Sequence, residues 1–533
     1  MGAVSKSSVR PVSSSRDDRI DGILPAWRWS SDELTYSAPT SSDDYADDFF
    51  SDWDENDISA EFQDFSPLSN RQLFYYKSIL DSDFDGADAY AEAFSVESFT
   101  ELEFEFSNAA NPNDDIAAAN SGDYSGAYAY LPGTTSEAGR VFFGTIGVEP
   151  EEGNDDHLTM LHEIGHALGL LHGHEESEFG AVPNKYDSNE YTVMTYRSYV
   201  GEDLGDGTRV SPEFWGRPQT YMMLDIAALQ HLYGANYDTN SGDTVYSWKP
   251  ESGKTKIDGE TAIDPGANRI YATIWDGGGT DTYDLSRYER GVDIDLRPGK
   301  HSVFSNKQLA DIGGDFAQQS ARGNIFNALK YDDDRRSLIE NALGGEGNDR
   351  IVGNGARNRL EGGKGRDELI GRSGSDRLLG GKGSDTLTGD NGRDRLYGGN
   401  AHDEITGGAG ADIIKGGKGD DTFVFLDVSD STPDDFDILR PGGSVAAFEK
   451  AGRADGDVID VSEIDANNIS GGDQSFSFNQ GTGRGDLWLE DDSNTTNTLV
   501  FGNIDGDARA EFYFVIRDGS VEASDYHRSD FIL

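Results

Sequence analysis

A strict nine-residue period between residues 344 and 424 constrains the fold of this chain more than any other feature. Repeats begin at Gly344 and restart at 353, 362, 371, 380, 389, 398, 407 and 416, each close to G-G-x-G-x-D-x-U-x, where U is large and apolar. The U position is filled throughout, by Ile351, Leu360, Leu369, Leu378, Leu387, Leu396, Ile405, Ile414 and Phe423. One repeat cannot bury its apolar side chain alone, so neighbouring repeats must stack. The period predicts two short parallel sheets with U pointing inward, whereas a flexible Gly/Asp-rich linker would keep no such register.

Each repeat also has the composition of a calcium site. The glycines permit tight turns whose carbonyls point at a cation, and the Asp adds a carboxylate, which together form the oxygen-rich shell that Ca²⁺ prefers. The predicted calcium ligands are Asp349, Asp367, Asp376, Asp385, Asp394, Asp403, Asp412 and Asp421, with the turn glycines Gly344, Gly362, Gly380, Gly398 and Gly416. The second repeat has Asn358 in place of Asp, so we expect a weaker or absent site there. The Gly-rich, Asp-containing turn in residues 275–286 could hold a further calcium ion.

A second motif, HEIGHALGLLH at residues 162–172, has the spacing of a catalytic metal site. His162 and His166 are four apart, so on a helix they share one face and can bind one ion. Gly169 can adopt positive φ and end the helix, which lets His172 become the third ligand. Three imidazoles on Zn²⁺ leave one position open for water, and Glu163 is placed to take a proton from that water. A helix that carries His by chance is the alternative, and the five fixed positions of the motif argue against it.

The pattern H-E-x-x-H-x-x-G-x-x-H, followed by Met194 in TVMTY, resembles the metzincin endopeptidases. TVMTY is similar to the S-V-M-S-Y turn of their serralysin branch. This resemblance implies that Met194 forms an apolar floor under the zinc and that Tyr196 stabilises the oxyanion formed when water attacks a peptide carbonyl. Considered alone, Met194 favours a core position and Tyr196 a packed aromatic ring. The chain departs from the family after the third His, where Gly173 and His174 replace Pro-Gly; His174 is either a stray ligand or, as we expect, a solvent-facing loop residue.

The sequence around this motif predicts an α/β domain. Leu34, Tyr36 and Ala38 alternate as in a strand, and Ser66 with Pro67 is placed to open a helix. Residues 99–106, FTELEFEF, alternate strictly and predict another strand.

The family resemblance extends on both sides of the motif. By analogy, residues 126–132 form the edge strand along which a substrate peptide pairs. Residues 220–236 predict a helix ended by Gly234 and are similar to the last helix of serralysin catalytic domains. We therefore expect a metzincin catalytic domain with a twisted, mostly parallel sheet, an antiparallel edge strand and helices.

The length of 533 residues predicts three or four domain-sized units. Residues 1–19 are interpreted as a disordered leader, which is the place of a short propeptide in serralysins. Residues 20–242 form the predicted catalytic domain, 243–424 the calcium-binding parallel β-roll domain, and 425–533 an antiparallel β cap. By resemblance, the final residues Asp530, Phe531, Ile532 and Leu533 belong to a C-terminal signal for a type I exporter.

Composition narrows the function further. The absence of Cys excludes disulfides and thiolate ligands, no run of 18 apolar residues predicts a membrane span, and the N-terminus lacks a secretory apolar region. The net charge of −55 disfavours nucleic acid and anionic membranes as partners. The repeats do not cause this acidity, because residues 344–424 contain ten Asp and four Glu against twelve Lys and Arg. Adaptation to saline surroundings and an ordinary acidic secreted enzyme both remain open as explanations.

The residues and the resemblance together predict a secreted, extracellular, monomeric endopeptidase of the serralysin type with RTX repeats. It would use one catalytic Zn²⁺ and several Ca²⁺ ions, and would hydrolyse peptide bonds in proteins by metal-activated water with Glu163 as general base. One alternative is a catalytically impaired RTX adhesin or surface-binding protein. An RTX lipase is a second, and the absence of a G-x-S-x-G motif argues against it.

Overall fold

The computed structural model describes residues 8–45, 65–108, 111, 113–122, 125–203, 212–314, 319–442, 445–453, 456–468, 472–479, 481–507, 509–519 and 521–533. The chain divides into two compact units, Met1–Asp281 with Pro298–Leu338, and Thr282–Arg297 with Ile339–Leu533. Within the described ranges, no helix combines the length and apolar character needed to cross a membrane. The domain boundaries at 19, 242 and 424 stay predictions.

The described α-helices, in chain order, are α1 (Asp18–Asp21), α2 (Asn70–Leu80), α3 (Ala89–Phe94), α4 (Val96–Phe99), α5 (Asp155–Leu168) and α6 (Met223–Tyr233). The strands up to residue 274 are β1 (Val9–Pro11), β2 (Trp27–Trp29), β3 (Glu33–Ser37), β4 (Phe65–Ser66), β5 (Glu103–Phe106), β6 (Ile116–Ser121), β7 (Ala127–Ala129), β8 (Arg140–Phe143), β9 (Val245–Lys249), β10 (Ser252–Ile257), β11 (Glu260–Ile263) and β12 (Ala272–Ile274).

The strands that follow are β13 (Thr282–Asp284), β14 (Asp293–Asp295), β15 (His301–Ser302), β16 (Ile325–Asn327), β17 (Asn341–Leu343), β18 (Arg350–Val352), β19 (Arg359–Lys364), β20 (Glu368–Gly374), β21 (Arg377–Lys382), β22 (Thr386–Gly392), β23 (Arg395–Asn400), β24 (Glu404–Ala409), β25 (Ile413–Lys418), β26 (Thr422–Val424), β27 (Asp437–Leu439), β28 (Val458–Asp460), β29 (Ser477–Phe478), β30 (Asp486–Asp491), β31 (Thr498–Asn503), β32 (Phe512–Ile516) and β33 (Phe531–Ile532).

The first unit contains a mostly parallel sheet in the order β5-β3-β6-β8-β7, with β4 paired to β6. The pairs β3–β5, β3–β6 and β6–β8 are parallel, whereas β7 runs antiparallel to β8 at the edge. This agrees with the predicted mostly parallel sheet and its antiparallel edge strand. A hairpin set β9-β10-β11 and a small sheet β12-β16-β15 also belong to this unit.

Two predicted element boundaries in this unit are wrong. Helix α2 begins after Ser69, whose hydroxyl accepts from the Gln72 N–H while the Gln72 side chain accepts from the Ser69 N–H. This reciprocal capping box places the start at Ser69, and Ser66 instead lies in β4. Phe99 ends the short helix α4, so the alternation at 99–106 produces a strand only from Glu103.

The predicted disorder of residues 1–19 is also wrong where these residues are described. Strand β1 pairs antiparallel with β2, with Val9 opposite Trp29. The carboxylate of Asp21 accepts from the Ser14 and Ser15 hydroxyls. These hydrogen bonds hold the segment between β1 and α1 against the helix. Removal of a propeptide stays a prediction.

Helix α6 lies in the core of the first unit. Its apolar residues continue around the whole helix, which is typical of a buried helix, and nearly every residue of it is buried. It packs in one apolar cluster with α5, Trp29 and Tyr36. The predicted end of the helix at Gly234 is confirmed, since Gly234 caps it with φ +88°.

The second unit contains two sheets built from the repeats. One has the order β14-β18-β20-β22-β24-β26-β28-β33, and the other runs β13-β17-β19-β21-β23-β25-β27-β32 before continuing through β31, β30 and β29. Successive strands alternate between the sheets, so residues 18 apart lie side by side, as Leu360, Leu378 and Leu396 do. Every predicted apolar U residue is buried, which confirms the stacked parallel architecture.

The predicted antiparallel cap is present in β30, β31 and β32. The C-terminus adds a feature that the sequence did not predict. Strand β33 pairs in parallel with β28, with Phe531 opposite Ile459, so the final residues form the last strand of a repeat sheet.

Candidate active site

Helix α5 positions the first two histidines of the HEIGHALGLLH motif. Asn154 caps its start by accepting from the His157 N–H, and the helix ends at Gly169, whose φ is +115°. The N–H of Leu170 then bonds the Gly165 carbonyl at 2.8 Å, which reverses the chain direction. The prediction that Gly169 ends the helix is confirmed, and the turn brings His172 beside His162 and His166.

The three predicted ligands meet at their Nε2 atoms. His162 Nε2 lies 3.1 Å from His172 Nε2 and 3.2 Å from His166 Nε2, and the third separation is 3.1 Å. Nitrogens about 2.0–2.1 Å from a tetrahedral Zn²⁺ would be about 3.3–3.4 Å apart, close to these values. The described residues therefore fit a zinc site.

The other ring nitrogens determine the tautomers. His162 Nδ1 lies 2.8 Å from the Val193 carbonyl oxygen and His166 Nδ1 lies 2.6 Å from that of Leu170. Because a carbonyl only accepts, each Nδ1 must carry the proton, which leaves a lone pair on each Nε2. Lone pairs that face one another this closely repel unless a cation lies between them.

The segment that holds His162 is itself anchored by Asp225. This buried carboxylate accepts from the Thr192 hydroxyl and from the N–H groups of Val193 and Met222. Burial raises the pKa of Asp225 to about 7 against the opposing effect of these hydrogen bonds. Asp225 therefore caps the start of α6 through the Met222 N–H and also holds the Val193 segment whose carbonyl orients His162.

Met194 lies against α5, and Tyr196 lies beside His172. Met194 is fully buried, and a Cβ at Gly165 would come within 2.7 Å of its sulfur, so the glycine in HEIGH permits this approach. The Tyr196 hydroxyl lies 2.9 Å from His172 Nε2. The phenol group is thus within hydrogen-bond reach of the point where the three histidines converge.

Glu163 is buried next to His162 on α5. Burial raises the pKa of Glu163 to about 8. A carboxyl group with a pKa near neutrality can both accept and return a proton, which is the requirement for a general base that later acts as an acid.

The predicted calcium ligands form two ladders in the second unit. The N–H of Asp349 donates to Asp367 Oδ1, and the same bond recurs every 18 residues through Asp385 and Asp403 to Asp421. A parallel ladder runs from Asn358 through Asp376 and Asp394 to Asp412.

One oxygen of most of these carboxylates lacks a hydrogen-bond partner within the described structure. These buried Oδ2 atoms belong to Asp367, Asp376, Asp385, Asp394, Asp403, Asp412 and Asp421. Burial raises the pKa of several of these groups, to about 8 for Asp394 and Asp403. A buried carboxylate oxygen without a donor calls for a cation, so the chemistry of this donor set fits Ca²⁺.

In the first two repeats, unlike the later ones, the corresponding side-chain oxygen has a hydrogen-bond donor within the protein. Asp349 Oδ2 accepts from the Gly345 N–H at 2.6 Å. The Asn358 amide donates to the Glu340 carbonyl and accepts from the Asn354 N–H, so its polar atoms are satisfied by the protein. These contacts are consistent with the expected weaker site at Asn358, which stays a prediction.

The predicted turn glycines lie against the carboxylates. A Cβ would come within 2.1–2.5 Å of the Oδ2 of the Asp five residues later at each of Gly344, Gly362, Gly380, Gly398 and Gly416. Any larger residue there would displace the carboxylate.

Two members of the ladders were missed from the sequence. The Asp412 N–H donates to Asp437 Oδ1 at 2.8 Å, and the Asp421 N–H donates to Asp457 Oδ1 at 2.9 Å. Their spacing from the preceding rung is irregular, but each begins a D-x-U triplet, and that triplet was the available signal.

The turn at 275–286 brings Asp276 and Asp281 together as a buried pair. Asp276 accepts from the Tyr246 hydroxyl and the Gly278 N–H, and Asp281 accepts from the Thr244 N–H. Burial, reinforced by the neighbouring Asp281 carboxylate, raises the pKa of Asp276.

Comparison with known proteins identifies the family of this chain. The family model for the C-terminal region of the serralysin M10 peptidases matches residues 235–532, which is more than half of the chain. The chain belongs to the serralysin family of M10 peptidases.

The similar serralysins include one from Proteus mirabilis, 34% identical over 293 residues that cover 51% of this chain and 53% of the relative. Serralysin G of Dickeya chrysanthemi is 32% identical over 58% of both chains, and a serralysin C of the same organism is 37% identical over 42% and 43%. The chain spans about half the length of the curated relatives it matches. A solution structure of the AlgE6R3 subunit of the Azotobacter vinelandii mannuronan C5-epimerase is 22% identical over 35% of this chain and 77% of that chain, with a TM-score of 0.17 that supports no conclusion.

The departure from the serralysin pattern after the third His has structural consequences. His174, predicted to face solvent, is half-buried: its ring centre lies 5.4 Å from that of His172 and 5.1 Å from that of Tyr196, and its Nδ1 is buried. Glu175 brings its carboxylate 3.1 Å from His172 Nδ1, a contact that the sequence reasoning missed. The carboxylate gives the third histidine the same Nδ1–H tautomer that carbonyls give the other two.

Proposed function

We propose that this serralysin is a secreted zinc-dependent endopeptidase whose folded state is stabilised by calcium. The observation that carries the proposal is the convergence of three Nε2 lone pairs on His162, His166 and His172, each oriented by an acceptor at Nδ1. No neutral arrangement of these rings satisfies the three nitrogens, and a zinc ion does.

Zinc held by these histidines would polarise a peptide carbonyl and make water more acidic. Glu163 would accept the proton of the attacking water and return it to the leaving amine. Tyr196 would donate its phenol hydrogen to the developing oxyanion. Edge strand β7 would bind the substrate in an extended form, because its outer edge faces away from β8.

Calcium would bind along the two Asp ladders, including Asp437 and Asp457, and at the turn that holds Asp276 and Asp281. The buried Oδ2 atoms support this proposal, because burying unpaired carboxylates is costly in free energy. Calcium binding would therefore contribute directly to folding of the second unit. By analogy with the family, the chain would leave the cell through a type I exporter with its C-terminal residues as the signal, and act as a monomer on protein substrates.

Casein digestion by wild type and by Glu163→Ala, each with zinc and calcium supplied, tests the proposal. We expect the variant to lose at least about a hundredfold in kcat while it still binds one zinc ion, because Glu163 acts on protons and not as a ligand. Zinc content by mass spectrometry provides the control for folding. Equal activity in both proteins would contradict the mechanism, and an inactive wild type that retains zinc would favour the adhesin.

A further inference from the structure

One outer face of the repeat unit carries a line of cations. Arg359, Arg377 and Arg395 lie side by side on neighbouring strands β19, β21 and β23. The line continues two residues along the strand direction with Lys415 on β25, then Arg440 immediately after β27 and Arg517 immediately after β32. One cation thus lies on or directly after each of six neighbouring strands. Neighbouring strands are about 4.8 Å apart, so the line extends about 24 Å across the sheet, with one offset of two residues between Arg395 and Lys415.

Most of these cations lack an anionic partner. Arg359 is paired with Glu361. No ion pair involving Arg377, Arg395, Lys415, Arg440 or Arg517 occurs among the residues that the structure describes. Burial and then the nearby Arg517 lower the pKa of Arg440, and its Nε is buried without a hydrogen-bond partner. Several positive side chains therefore lie close together in a chain whose net charge is −55.

The other repeat sheet has no such line. Its outward position in the same register carries Arg350, Glu368, Thr386, Glu404 and Thr422. Arg350 is the cation of this set, and it is bracketed by Asp293 at 3.5 Å and Glu368 at 3.2 Å. The basic line is thus a property of one face and does not follow from the repeat itself.

A single aromatic ring lies within the line. The Arg377 guanidinium and the Lys415 ammonium each lie 5.0 Å from the centre of the Tyr397 ring. The ring offers a small apolar surface between cations, which suits stacking of one sugar ring.

We propose that this face binds a linear polysaccharide that carries regularly spaced carboxylates. Charge complementarity and the presence of one cation on each successive strand favour a regular polyanion. An extended peptide would add to a sheet edge, and these strands are hydrogen-bonded on both sides. Single-stranded nucleic acid would need several rings for base stacking, and the line contains one.

Isothermal titration of the full chain with short, soluble oligogalacturonate, at one fixed calcium concentration, tests the proposal. The fully methyl-esterified oligomer is the matched neutral ligand. We expect binding of the acidic oligomer alone, weakened by added NaCl. The double variant R377Q/R395Q should bind about tenfold more weakly, since two exposed ion pairs are lost.

Arg350→Gln is the matched control on the other sheet and should bind as wild type does. Lys415→Gln is a second variant on the line, and an unchanged melting temperature in calcium shows that each variant is folded. Casein cleavage should be unchanged in all three, because none of these residues lies in the catalytic unit. The proposal is overturned if wild type does not bind the acidic oligomer, binds the ester equally, or binds poly-glutamate or single-stranded DNA more tightly, or if R377Q/R395Q binds like wild type.

Discussion

The backbone N–H of Asp412 donates a 2.8 Å hydrogen bond to Oδ1 of Asp437, and this contact continues an Asp ladder beyond the last nonapeptide repeat. Both carboxylates keep a buried Oδ2 without a hydrogen-bond partner in the described structure. Burial raises the pKa of Asp437, and the nearby Asp412 raises it further. The pair therefore resembles the regular rungs in everything except its spacing along the chain.

We predict that Asp437→Asn removes part of the stabilisation by calcium. A site occupied at a hundred times its Kd contributes about 2.7 kcal/mol, so up to that amount should be lost in saturating calcium. In a chelator at pH 8 the variant should be as stable as wild type or more so, because a buried charge has been removed. Thermal unfolding in both conditions measures this, with the exposed Asp434→Asn as control. An equal loss of stability with and without calcium would contradict the assignment.

Glu175→Gln should weaken zinc binding by about 10–100-fold, since the carboxylate that orients His172 and raises its basicity is lost. Competition with a chromophoric chelator measures the affinity without reference to catalysis. Glu176→Gln, an exposed neighbour, should bind zinc as tightly as wild type does. Identical affinities for both variants would show that the 3.1 Å contact does not position the ligand.

Tyr196→Phe should lower kcat about a hundredfold and change KM little, because the hydroxyl would act on charge that develops after the substrate binds. Steady-state cleavage of one peptide substrate separates the two constants. Tyr199→Phe, three residues further along the same loop, serves as the control. A rise in KM at constant kcat would assign Tyr196 to substrate binding instead.

Acid should destabilise the first unit through His157. This ring is fully buried between Tyr75 and Tyr90, and burial lowers its pKa to about 3. The unfolded chain takes up the proton below its ordinary pKa of about 6.5 while the folded chain does not, so stability is present above pH 6.5 and is lost as pH falls towards 3.

The change of unfolding free energy with pH separates the effect of the His157 charge from any loss of packing that a substitution there causes. Between pH 7 and pH 5 wild type should lose up to about 2 kcal/mol through this group. His157→Gln should show a shallower loss in urea unfolding over the same range, whatever its stability at pH 7. His231→Gln, at a half-buried histidine bonded to the Ser13 carbonyl, is the control for removing a histidine elsewhere in the first unit. A slope unchanged by His157→Gln would contradict the assignment.

Local rules explain why much of the chain could be predicted. The repeat needs Gly, Asp and an apolar residue at fixed offsets, and Gly169 must end α5 because its positive φ suits no other residue well. The errors arose where two local signals competed. Ser66 and Ser69 can both cap a helix, and the Gln72 side chain favoured Ser69.

The spacing of His162, His166 and His172 by itself pointed to a metal site, because a helix and one turn are enough to bring the three rings together. Asp437, Glu175, and the role of Asp225 behind Val193 depended on the tertiary structure. Asp437 is separated in the chain from its partner Asp412, and Asp225 from Val193, by segments of irregular length. A sequence period therefore cannot predict these contacts. Glu175 is close to His172 in sequence, but the direction of its side chain is set by the packing of the loop after the third histidine. The basic line could be predicted only in part. Arg359, Arg377, Arg395 and Lys415 belong to the repeats, but only the alternation of strands between two sheets brings them onto one face with Arg440 and Arg517.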